Sequence, residues 1–307
     1  MGAPGMTELN LGEVATEGYL EASSNLDQMT ALEIVQLMNA EEEKVRRALD
    51  SAAEAVAVVV DKVAEAFLGG GRLFYIGAGT SGRLGLLDAS ECPPTFGSPP
   101  EQVQGILAGG LKAFERAVEE AEDRAEDGAR ELRCRELTAA DCVVGISASG
   151  RTPFVLGGLE EARRVGAFTA GVFCNPGAPM STACEQPILL ATGPEVVTGS
   201  TRLKAGTATK LVLNQITTGA MIRSGRVLGN LMVSLTPTCE KLVDRSIRIV
   251  SKAVECEREQ AAELLDKAEG SVPVAILLGK TELNAEQARI SLETEPLTQL
   301  LQRLKAR

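Results

Sequence analysis

Residues 77–97 read GAGTSGRLGLLDASECPPTFG and follow the apolar run Leu73 to Ile76. An apolar run that passes into a turn of Gly, Ser and Thr, then a helical segment, then a carboxylate before two prolines, predicts a strand, an anion-cradling loop, a helix over Gly82 to Ala89 and a stiffened loop holding Glu91. Gly77, Gly79 and Gly82 permit a tight turn in which backbone N–H groups approach an anion. Thr80 and Ser81 add hydroxyl donors at the positive end of the helix that follows. Taken alone, the same letters also describe an ordinary capped strand-to-helix turn.

Working outward, a second loop of the same grammar lies at Ser147 to Pro153, SASGRTP, directly after the apolar CVVGI. Pro153 suits the first turn of a helix. Ser147, Ser149 and Thr152 are candidate donors beside Gly150, and two such loops after neighbouring strands can converge on one phosphate. A third region, GPEVVTGSTRLKAGTATK, spans Gly193 to Lys210. Ser200 and Thr201 can cap the helix expected from Arg202 to Arg223. Arg202, Lys204 and Lys210 place cations near its start, where they oppose the helix dipole and point to an anion nearby; Lys210 reads better as a solvated surface cation.

Apolar runs at Leu73 to Ile76, Val103 to Leu107, Cys142 to Ile146, Ala170 to Cys174 and Pro187 to Leu190 alternate with helical patterns at Gly82 to Ala89, Lys112 to Leu132, Pro153 to Arg164 and Arg202 to Arg223. This alternation predicts an α/β chain with a doubly wound, mainly parallel sheet. Ligands in such sheets sit beyond the carboxyl ends of the strands, where these loops fall. Ahead of the sheet, Thr30 and Glu33 form a capping box, and a helix is expected to run to Phe67 before the stop Gly69-Gly70-Gly71. After Thr236 the pattern becomes helical with little strand signal, with segments at Lys241 to Ala262, Ala261 to Ala268, Val272 to Leu278, Ala285 to Leu292 and Leu297 to Leu304. The expected organisation is an N-terminal arm and helix over 1–68, a sheet domain over 69–235 and a small helical domain over 236–307.

Composition narrows the chemistry. The chain has 307 residues, 31 Lys plus Arg against 42 Asp plus Glu, and a net charge of −11. This balance argues against nucleic acid or an anionic membrane as a partner. No apolar run approaches the roughly 18–20 residues of a membrane span. Seven scattered cysteines with no CxxC pair, and no leader pattern, predict a reduced thiol set and a cytoplasmic protein. Histidine is absent, so imidazole catalysis and histidine-ligated metal are excluded. Acid–base work falls to Glu, Asp, Lys, Tyr or Cys. Glu91 stands out because Pro93 and Pro94 stiffen its surroundings. Glu119, Glu120, Glu122 and Asp123 form a second acidic set, among which residue chemistry does not choose.

Together, GAGTSGRLGLLDASECPPTFG, AGG with AVEEAED, GISASGRTP, CNPG and GPEVVTGSTRLKAGTATKLVLN closely resemble the N-acetylmuramic acid 6-phosphate etherases of the sugar isomerase (SIS) superfamily. The resemblance covers about Asn25 to Val233. It departs at Tyr19-Leu20-Glu21, where family members often carry an Arg-Asn-Pro-like stretch. It implies an SIS fold, a sugar-phosphate ligand held by the loops, a homodimer with sites completed across the interface, and no metal or organic cofactor. It also implies that Glu91 is the acid for departing lactate and base for incoming water, and Glu122 the base at carbon 2. The acid role requires a raised Glu91 pKa, from partial burial or a nearby phosphate. A sugar-phosphate sensor resembling the glucokinase regulatory protein and an SIS aldose–ketose isomerase are the alternatives.

Overall fold

The computed structural model describes residues 15–116, 118, 120–235 and 240–305. Residues 1–14 of the expected arm and 236–239 at the expected domain boundary lie outside them. Five strands, β1 (Leu73–Gly77), β2 (Val103–Leu107), β3 (Cys142–Ile146), β4 (Phe168–Phe173) and β5 (Gln186–Leu189), form one sheet in the order β2-β1-β3-β4-β5. Every pairing is parallel. β2 and β3 have the bounds expected from sequence, while β4 and β5 begin two residues and one residue earlier. Alternate residues feed two cores: Leu73 and Tyr75 face one layer, Phe74 and Ile76 the other.

The first layer is made by α1 (Ala31–Leu68), α2 (Gly79–Phe96) and α7 (Lys204–Arg223). The second contains α4 (Ala125–Arg133), α5 (Pro153–Val165) and the short α6 (Met180–Ala183); the equally short α3 (Lys112–Glu115) follows β2. The capping box of α1 is formed: Thr30 N–H donates to Glu33 at 2.7 Å and Glu33 N–H to Thr30 Oγ1 at 3.4 Å. Residues 31–40 of α1 are mostly exposed, and its core face begins near Glu41 and Val45. The C-terminal helices α8 (Glu240–Val254), α9 (Arg258–Lys267), α10 (Val272–Lys280), α11 (Ala285–Thr294) and α12 (Leu297–Lys305) gather around their own apolar cluster, joined by Val233 and Leu235. The helix expected over Lys241 to Ala262 ends instead at Val254, where Glu255 takes the left-handed conformation at φ 64°, and the one expected from Ala261 begins at Arg258.

Two further expectations are corrected. α2 does not stop at Ala89 but continues through Pro93 and Pro94 to Gly97, which closes it at φ 59° with its N–H on the Pro93 carbonyl. Asp88, Cys92 and Phe96, on one helical face, are buried at 6%, 2% and 8% exposure. That packing outweighs the two backbone bonds the prolines forgo in the last turn. The helix expected over Lys112 to Leu132 is instead α3, which ends at the extended Arg116, then a 3₁₀ turn at Ala121–Asp123 preceded by Glu120 at φ 62°, and α4. Phe114 and Val118, two of the apolar residues of this pattern, are 47% and 45% exposed, so they provide no packing to hold it helical.

Candidate functional site

β1 and β3 lie side by side with Gly77 opposite Ile146, so the loops beginning at Ala78 and Ser147 leave the sheet together. The chain winds outward to β2 from one and to β4 from the other, making this gap the topological switch point at which ligands bind. In the first loop, Ala78 occupies the N-cap of α2 and offers no side-chain cap. The first N–H groups of α2 have no intrahelical acceptor and are available to an anion. Gly82 must be glycine: a Cβ there would lie 2.5 Å from the Gly77 carbonyl oxygen. Gly79 sits at φ 51° with open space around its missing Cβ.

The second loop is pre-ordered by its own hydroxyls. Ser147 Oγ lies 2.8 Å from Thr152 Oγ1 and 3.2 Å from Ser149 Oγ, and it accepts the Gly150 N–H at 3.1 Å. Thr152 therefore faces Ser147 and does not cap α5 with its side chain. Gly150, at φ 67°, presses against Ala178, whose Cβ would be 2.6 Å from an added one. Asn175 of the CNPG motif braces the loop from below: its Nδ2 donates to the Ala148 carbonyl and to Thr16 Oγ1, both at 3.0 Å, while Thr16 N–H returns a bond to its Oδ1. The arm is thereby held over the carboxyl ends of β3 and β4.

The third region joins the others but by different contacts from those expected. Thr80 Cγ2 lies 3.8 Å from where a Cβ on Gly206 would be, bringing the first turn of α7 against the first loop. Leu203, not Ser200 or Thr201, holds the N-cap position, without a side-chain cap. The N–H groups of Lys204 and Ala205 donate to the Glu195 carboxylate at 3.2 and 2.9 Å. Burial pushes the Glu195 carboxyl above its ordinary pKa, opposed by those two N–H groups. The Lys204 ammonium, 2% exposed, pairs with Glu41 of α1 and donates to the Pro194 carbonyl at 2.6 Å. The anion anticipated near this helix start is thus supplied by the chain itself. Burial alone would raise the Glu41 pKa, but Lys204 and Lys44 outweigh it and hold it low.

Glu91 is exposed on α2 and Glu122 is exposed on the 3₁₀ turn. The partial burial expected for Glu91 is not provided by its own chain. Twelve residues of helix also carry it about 18 Å along the axis from Gly79. Glu122 follows the carboxyl end of β2, and its turn packs against α5. Arg83, from the first loop's helix, ties that connection in place by donating to the carbonyls of Ala113 and Phe114 at 2.7 and 3.0 Å.

A family model described as the glucokinase regulatory protein N-terminal SIS domain matches residues 53–163. The chain is 51% identical over 286 residues to N-acetylmuramic acid 6-phosphate etherase of Photorhabdus laumondii, covering 93% of this chain and 95% of that protein. Its counterpart in Clostridium beijerinckii is 49% identical, with 94% and 95% covered, and that of Pasteurella multocida 49%, with 90% and 92%. The chain belongs to the N-acetylmuramic acid 6-phosphate etherase family. Within this etherase family member, the structure gathers Gly79, Thr80, Ser81, Ser147, Ser149, Gly150 and Thr152 at one switch point, with Ser200 in the turn that leads to α7. It does not bring Glu91 of the same chain to them.

Sequence reading passes over a buried polar group on the same helix as Glu91. Asp88 Oδ1 accepts from Asn214 Nδ2 at 2.6 Å and Thr217 Oγ1 at 3.3 Å, both on α7. Its Oδ2 has no hydrogen-bond partner among the described residues. Burial pushes the Asp88 pKa up, with Asn214, Thr217, Tyr75 and Lys210 opposing. The signal was present in DASE, where Asp88 precedes Glu91 by one helical turn, but only the packing of α2 on α7 distinguishes it from a surface acid.

Proposed function

We propose that this protein cleaves the lactyl ether of N-acetylmuramic acid 6-phosphate to give N-acetylglucosamine 6-phosphate and D-lactate, as a cytoplasmic homodimer. Family membership at about half identity over nearly the whole chain is the observation that carries this reading. The loops after β1 and β3 hold the phosphate through the N–H groups of Gly79 to Ser81 and the hydroxyls of Ser147, Ser149 and Thr152. Glu122, on the 3₁₀ turn that follows β2 and α3, removes the carbon-2 proton of the open-chain aldehyde. The carbon-3 ether bond then breaks, and the departing lactate oxygen takes a proton from Glu91. Water adds to the unsaturated aldehyde at carbon 3, giving one proton back to Glu91, while Glu122 returns the proton it took to carbon 2. The net change is one water consumed per lactate released.

The 18 Å between Gly79 and Glu91 along α2 exceeds the reach of a sugar phosphate, so Glu91 serves the site of the second subunit. Two exposed apolar faces support that pairing: Leu32, Val35 and Met38 on the projecting start of α1, and Leu111, Phe114 and Val118 beside the Glu122 turn. The test is subunit complementation. Glu91→Gln and Glu122→Gln each lower D-lactate release by about 10²–10⁴-fold. Unfolded together and refolded as mixed dimers, they recover a substantial fraction of wild-type turnover if the two glutamates of one site come from different chains. Mixed dimers as inactive as the parents would overturn the shared site, and wild-type protein that releases no lactate would overturn the etherase reading itself.

A further inference from the structure

A cavity of about 490 Å³ lies near the amino ends of β1 and β2, at the opposite end of the strands from the phosphate loops. Its walls come from the ends of α1 and α7, from Gln102 just before β2, and from the C-terminal helices, including Ser271 and Glu295. The seam around it is close. Gly225, which ends α7 at φ 84°, would place a Cβ 2.4 Å from Pro296. The volume falls within the range of small-molecule pockets.

Among the described residues, the one cation on the cavity wall is not ion-paired. Arg226 lines it half-buried, and burial lowers its pKa with no carboxylate acting against that shift. Among the described residues its guanidinium makes no ion pair and one long hydrogen bond, 3.4 Å to the carbonyl of Gly97 at the end of α2. Glu295, also on the wall, is already paired with Arg303 at 2.9 Å. A second polar group is unmatched: Gln102 Oε1 is buried without a donor among the described residues. A half-buried guanidinium without an ion-pair partner and an orphaned buried carbonyl oxygen are both groups that a ligand would satisfy.

We propose that this cavity is a second binding site, distinct from the sugar-phosphate loops, for a small hydroxylated carboxylate. The guanidinium fork of Arg226 matches a carboxylate in two-point contact. Gln102 Oε1 accepts from a hydroxyl of the ligand, and Ser234 and Ser271 supply further hydroxyl partners. With Glu293 and Glu295 also on the wall, the single Arg226 cation suits a monoanion better than a phosphate dianion.

Calorimetric titration tests this without turnover, so its outcome is independent of the etherase reading. Three probes are used: D-lactate, unphosphorylated N-acetylmuramic acid, and inorganic phosphate. The first two ask whether the bound carboxylate is a free hydroxy acid or part of a sugar. Binding of at least one of them to wild type, weakened tenfold or more in Arg226→Gln while inorganic phosphate binds both proteins alike, is the expected result. Ser234→Phe, which fills the cavity and leaves Arg226 in place, should abolish the same binding and covers the case in which Arg226→Gln does not fold. No binding of either carboxylate, equal binding in the variants, or loss of phosphate binding alone would each overturn the assignment.

Discussion

Asp88 carries a cost that pH can reveal. Because burial raises its folded-state pKa, the folded chain keeps this proton at pH values where the unfolded chain has released it. From the ordinary aspartate pKa of about 3.9 up to the raised value, the folded state therefore binds more protons and stability declines as pH rises. Asp88→Asn keeps an oxygen acceptor for Asn214 and Thr217 and removes the ionisation. Denaturant unfolding at a series of pH values from 4 to 8 should show the variant gaining on wild type as pH increases; a constant difference would mean that Asp88 does not titrate in this way. The thiols give a second expectation at this scale. Burial pushes Cys92, Cys142 and Cys174 up to about 12 and Cys184 to about 11, whereas Cys134 is exposed. Since the thiolate is the reactive form, iodoacetamide at pH 8 should label Cys134 well before those four in folded protein, as read by peptide mass mapping.

Between elements, two glycines separate strain from crowding. Gly79→Ala meets only an unfavourable φ, worth about 1–2 kcal/mol, because its surroundings are open. Gly82→Ala drives a methyl into the Gly77 carbonyl and within 2.6 Å of Leu107 Cδ1, so β1, β2 and α2 must part. It should cost at least as much stability, about 1–3 kcal/mol, and raise KM for the sugar phosphate more than Gly79→Ala does, because it displaces the whole loop. The clamp between α1 and α7 is a larger stake. Lys204→Met leaves Glu41 and the Pro194 carbonyl without their buried cation and should destabilise by about 3–5 kcal/mol, measured by guanidinium unfolding. How legible these elements were followed from how local their causes are. β2, β3 and the Thr30 capping box are set by short runs and were read to the residue, and the paired loops stood out because each repeats strand, glycine turn and helix. The passage of α2 through Pro93-Pro94 was not legible, since Cys92 and Phe96 gain their burial only from α1, α7 and the sheet. The partners of Lys204 were hidden for the same reason, Glu41 lying 163 residues away in sequence.

For the molecule as a whole, the charge of −11 and the chemistry of the loops act over different distances. The phosphate is held chiefly by N–H groups and hydroxyls, dipoles whose pull is confined to the site; of the arginines beside the loops, Arg83 is engaged by the carbonyls of Ala113 and Phe114, and Arg151, within the second loop, is a single half-buried cation against the net charge of −11. A dianionic sugar phosphate approaching from solution therefore meets the repulsion of the acidic surface before it meets the donors. Raising ionic strength shortens the Debye length from about 30 Å at 0.01 M to about 8 Å at 0.15 M, which screens the long-range repulsion and leaves the close contacts intact. It follows that kcat/KM for N-acetylmuramic acid 6-phosphate should rise across that range of KCl, with kcat unchanged. D-lactate release at substrate concentrations well below and well above KM separates the two. A fall in kcat/KM with added salt would instead require a cationic field reaching out from the site, for which Arg151 of the second loop is the source within the chain.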